Sequence, residues 1–155
     1  MPGISASRRR ISPALRRTVA RAGVESTGHA GHPPATEGPL PASLVLEPGD
    51  LSLEDLIAST ARGILVTRFW YNRVVDPRQT LITGMTRDGT FLIEDGRIVR
   101  GVRNLRFNES VLGVLERAEA WGREAEPTVF DDTGLCVVAP ALKVRDFCFT
   151  GVSPS

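Results

Sequence analysis

The 155-residue sequence has only two cysteines, Cys136 and Cys148, and two histidines, His29 and His32. Two cysteines are too few for a disulfide scaffold. They lie in adjoining strand-like segments, so a bridge between them stays open, while buried thiols in a reducing cytoplasm suit the composition. The histidines stand three apart in HAGH, inside a Gly/Pro-rich stretch. An H-x-x-H pair offers two metal ligands, but a zinc site needs three or four, and no acid or cysteine stands at a supporting spacing. No apolar run approaches the ~20 residues of a membrane-spanning helix, and no apolar h-region marks a secretory leader. There is no solenoid-type repeat. The net charge of +1 means that the chain as a whole is not a polyelectrolyte. What remains is length enough for one ordinary domain with a real core.

The richest stretch is residues 63–107, which reads as four consecutive strands. Ile64 to Val75 is dense in β-branched and aromatic residues, which favour a half-buried pleated surface. Asp76-Pro77 ends it, because proline cannot donate to a ladder. Thr80 to Arg87 forms the next strand. Asp88-Gly89 and Asp95-Gly96 each lie between strand-like runs, the sequence signal of a two-residue type I′ hairpin with positive φ at both positions. That register sets Arg87 opposite Thr90 and Met85 opposite Leu92 at the first turn. At the second it sets Glu94 opposite Arg97, Ile93 opposite Ile98 and Leu92 opposite Val99. Met85, Leu92 and Val99 then share one face, and Ile82, Phe91, Ile93, Ile98 and Val102 the other. Apolar groups on both faces imply a sheet covered at least in part on both sides.

Residues 1–21 carry Arg8, Arg9, Arg10, Arg16, Arg17 and Arg21 and no acid. They read as a disordered basic tail or a start placed inside a longer gene. A nucleic-acid arm or a transit peptide is the functional alternative, though no aromatics are interleaved to stack on bases. Residues 22–50 form a Gly/Pro-rich loop with a short strand at Leu44–Leu46, followed by a turn at Pro48-Gly49-Asp50.

Ser52-Leu53-Glu54-Asp55 fits a capping box and opens a helix over 52–62. Leu53, Leu56, Ile57 and Thr60 lie on one of its faces, and Gly63 stands at C′. A second helix is predicted at about 110–122, with Asn108 or Ser110 as N-cap. Its apolar stripe is Val111, Leu112, Val114, Leu115 and Ala118, closed by Trp121 and ended by Gly122. An acidic loop over 123–133 and two closing strands, Leu135–Val138 and Leu142–Val152, follow, with Pro140 as the break. The fold class is α+β: a mainly antiparallel sheet, a meander of hairpins, with two short packing helices and a disordered basic N-terminus.

The block GILVTRFWYNRVVDPRQTLITGMTRDGTFLIEDGRIVRGVRNLRFNESVL resembles the C-terminal part of the TldD/PmbA family, zinc metallopeptidases also described as modulators of DNA gyrase. The leader GPLPASLVLEPGDLSLEDLIASTARG, the tail VVAPALKVRDFCFTGVS and the stretch AGVESTGHA extend the resemblance to about residues 22–153. It implies a TldD/PmbA-like C-terminal domain over 51–155. Catalytic members carry an H-E-x-x-x-H helix, whose histidines hold zinc and whose glutamate activates the bound water, with a cysteine in a G-x-C-G-K-like segment as third ligand. Neither pattern is present here. Cys136 stands in GLCVVAP without a following Gly-Lys, and it and Cys148 read as buried strand residues.

The resemblance implies a cytoplasmic protein, closer to the non-catalytic PmbA/TldE type, with no catalytic or metal residues of its own. Zinc belongs to catalytic members, not to this chain. The leading reading is the C-terminal domain, a fragment, of a TldD/PmbA-type zinc metallopeptidase acting on unfolded peptides, itself without the zinc motif and inactive alone. The partner implied is a TldD-like catalytic subunit or the missing N-terminal half. The alternative is a non-catalytic binding or scaffold subunit pairing with a full-length TldD-like protease and offering an edge strand to an extended peptide. Nucleic-acid binding through the arginine-rich tail ranks third. Within the family-like block, Arg68, Trp70, Tyr71, Asn72 and Arg87 are the candidates for touching a peptide or partner. Their plainer reading is ordinary sheet surface. Strand alternation puts Trp70 and Tyr71 on opposite faces, so only one of them would line a shared groove.

Overall fold

The structure, a computed structural model, describes residues 4–6, 23, 43–130 and 135–153. His29, His32, the Gly/Pro-rich stretch around them and most of the basic tail lie outside the described residues. The chain forms two compact units, one of residues 1–48 and 125–140, the other of 49–124 and 141–155.

The first unit is built on β1 (Ile4–Ala6) and β2 (Ser43–Leu46), with parts of β7 (Ala118–Phe130) and β8 (Leu135–Val144). The sheet order is β1-β2-β8-β7. β1 runs antiparallel to β2, and β2 runs parallel to β8, with Ser43 opposite Cys136 and Val45 opposite Val138. The strand expected at 44–46 is therefore present. Pro140 does not break the closing strand. Pairing with β2 stops at Val138, so the proline lies past the doubly paired stretch, where its missing donor costs least.

The second unit holds β3 (Arg62–Asp76), β4 (Leu81–Glu94), β5 (Arg97–Gly101), β6 (Leu105–Ser110) and β9 (Phe149–Val152) in one five-stranded antiparallel sheet. Its order is β3-β4-β6-β9, with β5 also on β4. The 14-residue β4 is paired on one side to β3 nearly throughout. On its other side it takes β6 along Leu81–Met85 and β5 along Phe91–Glu94.

This corrects the first of the two expected turns. Asp88-Gly89 is no hairpin. Asp88 has φ +63°, but Gly89 is not among the residues with positive φ, so the type I′ geometry is absent. The pair instead forms a bulge, where the register jumps from Val66–Thr90 to Arg68–Arg87. A bulge exploits the same left-handed backbone as a turn. Here the 15-residue β3 lies alongside and offers continuous pairing to both halves of β4, so a fold-back would discard half the ladder. Asp95-Gly96 is the expected turn, with φ +49° and +74°. Glu94 faces Arg97 and Ile93 faces Ile98, but a bulge then moves Leu92 opposite Arg100 instead of Val99. Ile98 and Val99 are exposed, so the covered face ends at Ile93.

The first helix, α1 (Leu53–Ala58), has the expected capping box. The Asp55 amide donates to Ser52 Oγ at 3.1 Å, and Asp55 Oδ2 accepts from the Ser52 amide at 3.1 Å and its hydroxyl at 2.8 Å. The helix stops earlier than expected. Ser59 Oγ and Thr60 Oγ1 both donate to the Leu56 carbonyl, at 3.0 and 2.8 Å. The Asp95-Gly96 turn then seals the end, through Asp95 N to Ala61 O and Gly96 N to Thr60 O. Gly63 consequently lies in β3, not at a helix C′. Leu56 is buried and Leu53 stays exposed.

The second helix, α2 (Val111–Glu116), is capped by Ser110 and ends at Arg117. Residues 118–122, expected as its continuation, are extended, because residues 49–51 pair with them. Gly49 N donates to Gly122 O at 2.8 Å and Arg123 N to Leu51 O at 2.7 Å. Trp121 is thus a strand residue, and the expected acidic loop from 123 is strand as far as Phe130. The strand expected over 142–152 is interrupted between Val144 and Phe149, where Asp146 has φ +52°. Its Cys148 is exposed, not core, while Cys136 is half-buried, and both are free thiols.

Candidate functional site

The arginine and aromatic candidates lie on the long β3–β4 ribbon, and its bulges decide which of them meet. Arg68 stands opposite Arg87 in the register. Like charges facing each other across a ladder repel. Two neighbours offset this. Asp88, swung out by its left-handed backbone, takes Arg68 NH1 on Oδ2 at 2.8 Å and lies 3.8 Å from Arg87 Nε. The Trp70 ring lies under both guanidinium groups, 4.4 Å from Arg68 Cζ and 5.5 Å from Arg87 Cζ. All three charged groups are about half exposed. Each cation–π contact contributes about 0.5–1 kcal/mol at such sites, and the exposed ion pair about 0.2–1 kcal/mol.

Tyr71 corrects the alternation argument. Its φ is +52°, and the register slips between Trp70–Met85 and Arg73–Thr83. Successive side chains alternate faces only in regular extended backbone. The left-handed residue keeps Tyr71 beside Trp70, their ring centroids 5.5 Å apart and edge to face. The same kink carries Asn72 away from the group. Its Oδ1 lies over Gly84, where an added Cβ would meet both that oxygen and the Phe107 ring. The structure thus brings Arg68, Trp70, Tyr71 and Arg87 together and separates Asn72 from them. Asp88 joins the group. The Asp-Gly preference for a turn masks that role in the sequence, and the matched lengths of the runs at 62–76 and 81–94 are the signal for it.

Phe69 belongs to a second aromatic group. Its ring meets Phe107 at 5.0 Å and Phe147 at 5.7 Å, and Phe147 meets Phe149 at 5.0 Å. Phe107 is 2% exposed, so this group anchors the sheet beneath the platform. A buried hydroxyl pair adds to the anchor. Thr90 Oγ1 donates to Thr86 Oγ1 at 2.7 Å, and Thr86 Oγ1 accepts from Leu105 N at 2.9 Å. Among the described residues β3 pairs within its sheet with β4 alone, so its other side is an edge among them. Tyr71, Val74 and Val75 are 60%, 66% and 56% exposed along it.

Among the described residues, no three His, Cys, Asp or Glu side chains come together in a group that would hold a metal ion. Among the same residues, no helix is long and apolar enough to cross a membrane.

A family model described as the PmbA/TldA metallopeptidase C-terminal domain matches residues 15–151. Among solved structures, TldE from Thermococcus kodakarensis is similar with a TM-score of 0.68 at 25% identity, over 86% of this chain and 29% of that one. A protein described as a modulator of a DNA gyrase from Thermotoga maritima gives 0.65 at 21% identity, over 86% and 29%. Another so described, from Bacteroides thetaiotaomicron, gives 0.61 at 22% identity, over 86% and 26%. The last two speak to fold alone. The chain therefore spans less than a third of the length of each of these neighbours. No curated protein matches it.

Proposed function

The chain belongs to the PmbA/TldA metallopeptidase C-terminal domain family, and we propose that it serves TldD/PmbA-type proteolysis of unfolded peptides as a binding domain without zinc chemistry of its own. The catalytic metal is supplied elsewhere, by a TldD-like subunit or by the N-terminal portion of a longer protein. The domain with this role begins near residue 51 and works in the cytoplasm. The family's zinc signature, H-E-x-x-x-H, does not occur in the sequence, and no step of hydrolysis is assigned to residues of this chain.

The observation that carries this reading is the open β3 edge beside the Arg68–Trp70–Tyr71–Arg87 platform. A peptide adding to a sheet edge gains main-chain hydrogen bonds, and side-chain platforms next to the edge supply selectivity. The rings offer amphipathic contact area and the guanidinium groups bind carboxylates.

The test is to combine the 155-residue chain with a zinc-loaded TldD-like protease, then follow co-elution and cleavage of an unfolded casein. Co-elution with faster cleavage is the expected result, weakened by Trp70→Ala. Separate elution with unchanged cleavage would overturn the proposal.

A further inference from the structure

β3 itself carries more positive than negative charge. β3 contributes Arg62, Arg68 and Arg73 and a single acid, Asp76. That acid is already committed. Its Oδ1 accepts from the amide of Arg78 at 2.8 Å, and its Oδ2 accepts from Gln79 Nε2 at 2.8 Å, closing the turn into β4. Arg87 joins from the neighbouring strand. On β3 and β4 together four arginines stand against three acids, and Glu94 faces Arg62 at the far end of the ribbon, which leaves the pair at Arg68 and Arg87 with Asp88 alone beside it. The platform also already holds a carboxylate. Asp88 occupies Arg68 at 2.8 Å while the guanidinium lies flat on Trp70. Arg87, over the same ring, is 3.8 Å from Asp88, beyond a direct hydrogen bond. One arginine of the pair therefore keeps donors free for a second carboxylate, already oriented by its stacking.

We infer that the β3 edge selects extended peptide segments carrying an acidic side chain, whose carboxylate takes Arg87 and competes with Asp88 for Arg68. This rests on the peptide-binding reading above and narrows it to an acidic substrate or partner strand. Three features favour a peptide over a nucleic acid. The edge exposes main-chain groups, Val74 and Val75 offer apolar contact on successive residues, and the platform has an internal carboxylate as its reference ligand. Asp88 acts as a built-in competitor that keeps the affinity modest.

Fluorescence anisotropy with the full chain tests this directly. The probe is a labelled octapeptide of four Thr-Glu repeats. The controls are the same peptide with every Glu replaced by Gln, and an eight-nucleotide oligothymidylate. The acidic peptide should bind at least about tenfold tighter than its Gln counterpart. Arg87→Gln should remove most of that difference. Asp88→Asn should tighten the acidic peptide several-fold, since asparagine tolerates the positive φ while losing the charge. Circular dichroism of each variant reports the fold separately.

Equal binding of both peptides would overturn the acidic selectivity and leave the peptide-binding reading standing. Binding of neither peptide would overturn both. Tighter binding of the oligonucleotide than of the acidic peptide would replace the proposal with nucleic-acid recognition. An Asp88→Asn variant that binds the acidic peptide no more tightly would remove the competitor role and, with it, the inferred geometry.

Discussion

Glu109 and Arg117 form a part-buried ion pair, Arg117 NH2 to Glu109 Oε2 at 2.6 Å, with the glutamate 5% exposed and the arginine side chain 28% exposed. The pair is part of a clamp. Glu109 Oε1 accepts from Cys148 N at 2.6 Å. Arg117 donates to the carbonyls of Gly113, Arg145 and Asp146. The segment between β8 and β9, with its left-handed Asp146, is thus held by side chains where no ladder holds it. Removing Arg117 leaves the Glu109 charge buried without its partner, which costs about 3–5 kcal/mol where burial is complete and less in this part-buried pair. Arg117→Ala and Glu109→Ala should each lower the urea midpoint strongly. The double variant Glu109→Met/Arg117→Met should recover much of the loss. A midpoint unchanged by Arg117→Ala would show that the pair holds nothing.

The two Asp-Gly pairs predict different consequences for the same substitution. Gly96 has φ +74°, and an added Cβ would lie 2.6 Å from the Ala58 carbonyl oxygen. Gly89 has no such φ, and its Cβ would meet side-chain atoms, Thr67 Oγ1 at 2.5 Å and Cγ2 at 2.8 Å, where that of Gly96 meets backbone. Gly96→Val should therefore destabilise more than Gly89→Val. Both should exceed Glu94→Ala, which removes an exposed cross-strand pair worth about 0.2–1 kcal/mol. Thermal melts of the three variants rank them, and equal losses would contradict the assigned backbone at Gly96.

The α1 cap gives a pH dependence with a definite sign. The Ser52 hydroxyl, and then its amide, hold the Asp55 carboxyl below its ordinary value of 3.8. A carboxyl lowered on folding adds stability that is fully present above pH 3.8 and lost as pH falls through the lower folded-state value. The chain should accordingly lose stability on acidification below pH 3.8, and Asp55→Asn should flatten that part of the curve. Ser52→Ala should cost about 1 kcal/mol at neutral pH. Urea melts between pH 2 and 7 check both.

Asn72 and Gly84 are coupled by the kink at Tyr71. An alanine at 84 would press on Asn72 Oδ1 and approach the Phe107 ring to 2.8 Å. Gly84→Ala should cost about 1–3 kcal/mol through overpacking. Asn72→Ala should recover part of that loss in the double variant, and simple addition of the two effects in a double-mutant cycle would remove the coupling.

What could be read from the sequence was local. The capping box at Ser52–Asp55 and the turn at Asp95-Gly96 each depend on residues a few positions apart, and both are present. Asp88-Gly89 has the same local preference, yet its outcome was set by β3, some twenty residues away. Residues 118–122 carry a helical pattern yet are extended for a like reason, since that form depends on main-chain pairing with residues 49–51. At the candidate site, composition pointed to Arg68, Trp70, Tyr71 and Arg87. Their meeting depends on a positive φ at Tyr71, an aromatic residue with no special preference for it.

A bare strand edge is also where filaments start, since each added chain presents the same edge to the next. On β3 the register slips three times, after Val66, Trp70 and Val74. No straight second copy can follow the strand along its full length, and growth is starved of a flat template. The irregularities that gather the arginines and rings thus also work against edge-to-edge growth.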